Sequence, residues 1–424
     1  MIGSDSSREA PDRYYVLGIL TLAYALNIAD RFSISTLIEP IKHDLQLSDS
    51  GVGYLTGVAL ALFYVTLGLP VAALADKANR RDILAWALLI WSGMTALCGL
   101  SRSFTQLMLG RFGVGIGEAG GTAPSTSILA DKFTPARRPF ALTIFALGAC
   151  LGAWLGSSVA GAAAERSGWR AAFLLLGIPG LALGALVWLT IREPERGCFD
   201  RVRIPASSVR ETLRFVARQR SAIHLVVGGS VATLWSWGLM WWTPAFLQRS
   251  HHLSVGSAGE LLGPMHLVAG TASTLLAAGL MSRPAARDPK HITNLLALFV
   301  LASTVPSFLA YWVDSTRVAT IYLWLFVPGV YFYIGPILGL LQNVLPAGMR
   351  ATGCATLLFL ANVGNLVIAP QAIGWLSDWL RSHSSAGDES LRWALLVLAP
   401  TGLWAAWHLW TAGRTIRQDE ASIG

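Results

Sequence analysis

Apolar residues recur along this chain in about twelve long runs separated by short polar turns. The runs lie near 14–38, 50–74, 82–101, 104–129, 137–163, 169–191, 221–247, 256–282, 291–312, 317–342, 351–379 and 391–412. About 20 apolar residues in a helix cross the hydrocarbon of a bilayer, so the pattern predicts an all-α integral membrane protein with twelve transmembrane helices. The longest polar interruption, 192–220, divides the runs six and six. Basic turns recur at the same place in each half, Lys77 to Arg81 after the second run and Arg283 to Lys290 after the eighth. The expected organisation is two pseudo-symmetric six-helix bundles, 1–191 and 221–424, joined by a cytoplasmic linker at 192–220. Two such halves facing each other across a central cavity is a transporter plan.

The linker carries its own periodicity. Ser208 followed three residues later by Glu211 fits a capping box. Arg210, Arg214 and Arg218 then recur every four residues, with Val209, Leu213 and Val216 marking the other face. That pattern predicts a short amphipathic helix. It either lies on a leaflet with its basic side toward lipid phosphates or is merely solvated.

Composition agrees with a membrane solvent. Of 424 residues, 54% are hydrophobic and only 13% are charged, against about 25% charged in soluble domains. Mean hydropathy is +0.53. The 42 Gly suit close helix packing and the 17 Trp suit interfacial belts. The net charge of +8 does not indicate nucleic acid, because the basic residues sit in short loops between apolar runs. Most of them fall in one alternate set of loops, which by the positive-inside rule places both termini in the cytoplasm. A plasma (inner) membrane location, multi-pass, follows from that reading. Cys98, Cys150, Cys198 and Cys354 are scattered without metal spacing, so neither a disulfide framework nor a zinc site is expected. The polar first dozen residues lead straight into a full-length span, so no cleavable signal peptide is expected.

Charges inside the runs are the candidate chemistry. Asp30 and Arg31 stand side by side in the first run, and Arg111 and Glu118 lie seven residues apart in GRFGVGIGEAGG of the fourth. Each costs several kcal/mol in hydrocarbon unless it meets a partner or a wet cavity. Asp30 is about eight residues from the outer end of its run, about 12 Å, and Arg111 about seven from its own, about 10 Å. Glu118 lies two turns past Arg111 on the same face, with Gly113, Gly115 and Gly117 leaving space around that face.

These residues resemble a known family. LADKANRRDIL, Leu74 to Leu84, is similar to the loop motif of the major facilitator superfamily, GxLaDrxGrr: Asp76, Lys77, Arg80 and Arg81 match, while Ala72 and Asn79 stand where glycines are usual. RFGVGIGEAG resembles that superfamily's arginine-containing fourth-helix motif. The added acid and the Asp-Arg pair of the first run resemble the Spinster branch, whose eukaryotic members export sphingosine-1-phosphate or lysophospholipids. The compact loops point to a bacterial member. Gly148, Gly152 and Gly156 of the fifth run resemble the antiporter motif without its Gly-Pro, and are better read as helix packing.

The resemblance implies that the first and fourth helices face each other, which lets Arg111 reach Asp30. Burial favours the protonated acid and a nearby arginine favours the carboxylate. Asp30 and Glu118 are therefore the expected protonation sites, with Arg111 and Arg31 answering them and gripping an anionic head group through planar donor forks. The bland alternative is a static salt bridge that fixes register. In the second half the seventh and tenth runs offer Trp235, Trp237, Trp241, Trp242, Tyr331 and Tyr333, and the eleventh adds Asn362 and Asn365. Trp235, Tyr331, Tyr333, Asn362 and Asn365 are expected to line the path of an apolar tail, and Trp241 and Trp242 to be interfacial anchors. Pro328-Gly329 and Gly335-Pro336 mark the tenth run as a flexible gating helix. Asp76, Lys77, Arg80 and Arg81 form the expected cytoplasmic gate, with Asp76 meeting the start of the eleventh helix near 351–353.

The function expected is secondary active transport by alternating access, coupled to a proton gradient, of a lipid-like anionic or zwitterionic amphiphile. The alternative is a small organic anion or drug. A membrane enzyme is remote: His251-His252 is the only histidine pair adjacent in sequence, and no HExxH or GxSxG appears. No cofactor and no metal are expected. The partners are membrane lipids, the amphiphilic substrate and protons, with no nucleic acid, and the chain is expected to act as a monomer.

Overall fold

The computed structural model describes residues 11–75, 77–135, 137–196, 207–281 and 288–422. Every regular element among them is helical. Ten helical stretches among the described residues are long and apolar enough to cross a membrane. They include Arg13–Thr36, Arg80–Cys98, Arg138–Ser167, Trp169–Thr190, Arg220–Ser250 and Pro289–Trp312. The fourth and twelfth runs are interrupted. The fourth divides into Phe104–Glu118 and Thr122–Lys132, and the twelfth into Ser390–Leu398 and Thr401–Ala421. The tenth bends between Thr316–Tyr331 and Ile334–Asn343, at Phe332 and Tyr333.

The second, fifth, eighth and eleventh runs share a device. Each contains a short stretch of widened turns: Tyr54–Val58, Leu155–Val159, Met265–Gly270 and Val363–Ile368. There the amides of Ala59, Ala160 and Ala369 reach back five residues to Tyr54, Leu155 and Gly364. These runs are the middle members of four consecutive triplets, so the repeat extends to single turns.

The chain divides into two compact units, Met1–Arg201 with Leu253–Leu267, and Val202–His252 with Val268–Gly424. The first half of the eighth run therefore groups with the first unit. Its Gly256 amide donates to Glu165 Oε2 at 2.8 Å, and Ser158 Oγ donates to the Gly259 carbonyl at 3.0 Å. Of the expected linker, 197–206 lie outside the described residues.

In the first unit the first helix lies against the fifth run, and the reason is lack of side chains. A Cβ on Gly148 would come within 2.7 Å of the Thr21 carbonyl oxygen, and one on Gly152 would collide with that of Ala25. The stripe thus seats the stretch of helix that carries Asp30 and Arg31. Glycines of the fourth run work in the same way. Gly113 and Gly117 do not leave space around the charged face, as their spacing suggested; Met94 and Trp91 of the third helix fill it. Close helix contact wins because van der Waals packing is the main attraction between helices in lipid.

The second unit hides polar pairs between its helices. Trp235 Nε1 donates to Ser307 Oγ at 3.1 Å, and Tyr311 and Thr243 hydroxyls meet at 2.8 Å. In both units large aromatics are turned outward: Trp86 and Trp188 of the first, and Trp312, Trp379, Trp393 and Trp410 of the second, are all exposed, as suits lipid-facing and interfacial positions. Trp241 and Trp242 are not among them. Both are buried, which corrects their reading as interfacial anchors: Trp241 Nε1 donates to Asn365 Oδ1 at 2.6 Å.

Candidate functional site

The first helix presents Asp30 and Arg31 on adjacent positions, about 100° apart around its axis. Arg111 and Glu118 share one face of Phe104–Glu118. All four are buried, Arg111 completely. They form two cross-helix pairs. Arg111 Nη1 donates to Asp30 Oδ2 at 2.5 Å. Arg31 donates through Nε at 2.9 Å and Nη2 at 2.6 Å to the same oxygen, Oε2, of Glu118.

A fifth residue completes the arrangement. Thr95 Oγ1, from the third helix, donates to Asp30 Oδ1 at 2.6 Å, so both oxygens of Asp30 are engaged. Glu118 is held on one side only. Among the described residues its Oε1 finds no hydrogen-bond partner, and neither do Nε and Nη2 of Arg111. The Arg31 guanidinium also lies over the Tyr64 ring, 4.5 Å from its centroid, a cation–π contact that holds the fork in place.

Formal charge in the quartet sums to zero. Buried pairs of this kind contribute little net stability over apolar packing. They do provide hydrogen-bonding groups, and exchangeable protons, within the helix bundle rather than at its surface. Glu118 is also the last residue of its helix. The chain turns at Gly120 and Gly121, whose amides donate to the carbonyls of Gly117 and Glu118 at 3.0 Å, and resumes at Thr122. A small cleft next to that turn is lined by Tyr24, Asn27, Trp91, Gly121, Thr122 and Ser125.

The remaining predicted residues are distributed differently. Trp235 is buried beside Phe326, with ring centroids 5.2 Å apart. The Tyr333 hydroxyl donates to Thr233 Oγ1 at 3.0 Å and meets Ser236 Oγ at 3.1 Å. Both are part of the second unit's core, with their polar tips satisfied by neighbouring helices. Asn365 is buried as the acceptor from Trp241. Tyr331, against Trp237 at 5.5 Å, and Asn362 remain half-buried.

The loop motif is partly described. Asp76 lies outside the described residues, and Lys77 is exposed. Arg80 is not a surface cation of the positive-inside kind. It is buried and donates to Glu193 Oε1 at 2.7 Å, Asp131 Oδ2 at 2.5 Å and Ser127 Oγ at 2.8 Å. Its neighbour Arg81 donates from its amide to Glu193 Oε2 at 3.0 Å and from Nη1 to the Trp188 carbonyl at 2.7 Å. The pair clasps the third, fourth and sixth runs at one end of the first unit.

His251 is nearly buried. Burial and the Arg392 cation push its imidazole below its ordinary range. Its Nδ1 pairs with Thr316 Oγ1 at 3.1 Å, a structural role. A second histidine pair escaped the sequence reading because its members are 184 residues apart: His224 and His408, with Nδ1 atoms 2.8 Å apart. No metal-binding cluster of three or more such residues occurs among the described residues.

Comparison with known proteins follows the same lines. Residues 20–369 match the Major Facilitator Superfamily. An MFS-type efflux pump of Mycolicibacterium smegmatis is 32% identical over 421 residues, covering 98% of this chain and 96% of that protein. The sphingosine-1-phosphate transporter SPNS2 of Xenopus tropicalis is 24% identical, covering 93% and 80%. A crystal structure of a bacterial homologue of the human lysosomal transporter Spinster, inward-facing and unoccupied, superimposes with TM-score 0.83 at 27% identity, covering 98% of this chain and 99% of that one.

Proposed function

Since the chain belongs to the Major Facilitator Superfamily, as a multi-pass transporter of the Spinster type, we propose that it moves an amphiphilic anion by alternating access coupled to protons. The observation that carries this reading is the buried quartet, in which Arg111 Nε and Nη2 on one side and Glu118 Oε1 on the other have no hydrogen-bond partner among the described residues. Asp30 and Glu118 are the proton carriers in this scheme. A proton on Asp30 cancels the attraction that holds Arg111, and the freed planar fork takes up the phosphate or carboxylate of the substrate. A proton on Glu118 releases Arg31 in the same way. Tyr331 and Asn362 remain candidates for substrate contact within the second unit. The basic loops support a plasma-membrane protein with both termini in the cytoplasm.

A lipid-like substrate is the first choice, supported by likeness to a relative named as a sphingosine-1-phosphate transporter. A small organic anion or drug is the second, favoured by the relative named as an efflux pump. Liposomes holding the purified protein, given a pH step, test both. The expected result is uptake of a lysophospholipid or sphingosine phosphate that follows the proton gradient and is lost in Asp30→Asn and Glu118→Gln. Gradient-driven transport of a dicarboxylate or a drug, with no lipid transport, selects the second reading. Coupled transport unchanged in both variants overturns the proton scheme.

A further inference from the structure

The short helix Val209–Val216 has the expected capping box: the Glu211 amide donates to Ser208 Oγ at 3.2 Å, and the Ser208 amide to Glu211 Oε2 at 3.0 Å. The Ser208 amide holds the Glu211 carboxyl below its usual range. The helix is also tied down on one side. The Ser207 amide donates to the Gly348 carbonyl at 3.0 Å. Thr212 and Val216 are buried, and the helix packs against the stretch beginning at Arg350 and against the helix beginning at Arg220.

That contact divides the face expected to be apolar. Val216 is buried, while Val209 and Leu213 stay 61% and 43% exposed. At about 100° per residue, the order around the axis is Thr212 and Val216 inward, then Val209 and Leu213, then the exposed Arg210 and Arg214, with Arg218, also exposed, in the turn just past the helix end. The aliphatic pair therefore borders the arginine row directly. The helix of the seventh run starts at Arg220, four residues after Val216, so this edge lies close in sequence to a membrane-spanning segment. An exposed apolar edge beside a basic row is the profile of a helix lying in a membrane interface, aliphatics below the phosphates and arginines level with them.

We propose that this edge docks onto anionic phospholipid head groups of the leaflet bordered by the basic loops, tethering the starts of the seventh and eleventh runs to that leaflet's charge. Three exposed arginines, Arg210 and Arg214 on the helix and Arg218 just past it, against one exposed acid, Glu211, supply the charge complementarity. The alternatives, a soluble protein partner or plain solvation, are outcomes of the test.

The test uses the full chain with Cys98, Cys150, Cys198 and Cys354 replaced by Ser. An environment-sensitive fluorophore is attached through Leu213→Cys or, as a second site, Val209→Cys. Emission is compared in detergent, in nanodiscs of phosphatidylcholine and in nanodiscs that also contain phosphatidylglycerol. The expected result is a blue shift on adding phosphatidylglycerol. The shift is lost in R210Q/R214Q/R218Q and in about 1 M salt, where the screening length falls to about 3 Å. Equal emission in the two nanodiscs, or a shift that survives the triple substitution, overturns the proposal. None of these readouts depends on what is transported.

Discussion

Asp30→Asn removes one charge from the quartet and almost no volume. In the parent, Arg111 is fully buried and Asp30 is its salt-bridge partner, at 2.5 Å. The substitution leaves a buried guanidinium without that counter-charge, with Nε and Nη2 already lacking partners. Removing one partner of a buried pair costs about 3–5 kcal/mol. For a compact unit of 150–250 residues each kcal/mol lowers the melting temperature by about 2–4 °C, so the expected fall is about 6–20 °C. The second half of the argument is the double variant. Asp30→Asn with Arg111→Gln removes both charges and is expected to recover part of the loss, with a coupling of about 0.5–3 kcal/mol. The assay is thermal melting of the purified protein in one detergent, for parent, both single variants and the double. A single variant within a degree or two of the parent, or a double equal to the sum of the singles, refutes the ion pair as a coupled unit.

Thr95→Val deletes the hydroxyl bonded to Asp30 and keeps the branching; loss of a hydrogen bond to a charged group is expected to cost about 1.5–3 kcal/mol, and Thr95→Ser to restore most of it in the same melting assay. Gly152→Ala sets a methyl against the Ala25 carbonyl and is expected to cost about 1–3 kcal/mol, whereas Gly18→Ala, with open space around it, is expected to melt like the parent. Asp288 accepts from Arg417 Nε at 2.9 Å and Nη2 at 2.5 Å, and those bonds hold its carboxyl below the usual range. A lowered carboxyl stabilises the fold above its unfolded value of about 4 and loses that contribution as pH falls further. Asp288→Asn is therefore expected to melt below the parent at neutral pH and to converge with it in acid; a gap that persists in acid contradicts the assignment.

The intramembrane charges were legible because their cost in hydrocarbon leaves few explanations. The depth of Asp30 and Arg111 in their runs already matched them as partners. The pairing of Arg31 with Glu118 was not legible, since spacing gives a face but not a reach. Thr95 was missed because a threonine in a span is cheap and common. The available signal was Ser92 and Thr95, three apart on one face of a mainly apolar helix and both buried. Trp235 and Tyr333 were read as substrate contacts because a sequence does not tell an aromatic facing a cavity from one facing a neighbouring helix. Ser307, Thr233 and Ser236 decide it by satisfying the polar tips. The linker helix was legible from its capping box, but its apolar face was not, because packing against neighbouring helices buries only Val216 and Thr212.

The widened turns in the second, fifth, eighth and eleventh runs change how those rods deform. An ordinary helix bends sharply only by losing bonds, usually at proline or glycine. A turn that closes over five residues stores a spare one, and that slack lets the two ends swing while the backbone bonds re-form. The four runs are thus provided with joints at matching places rather than with breaks, so each stays continuous as it changes curvature.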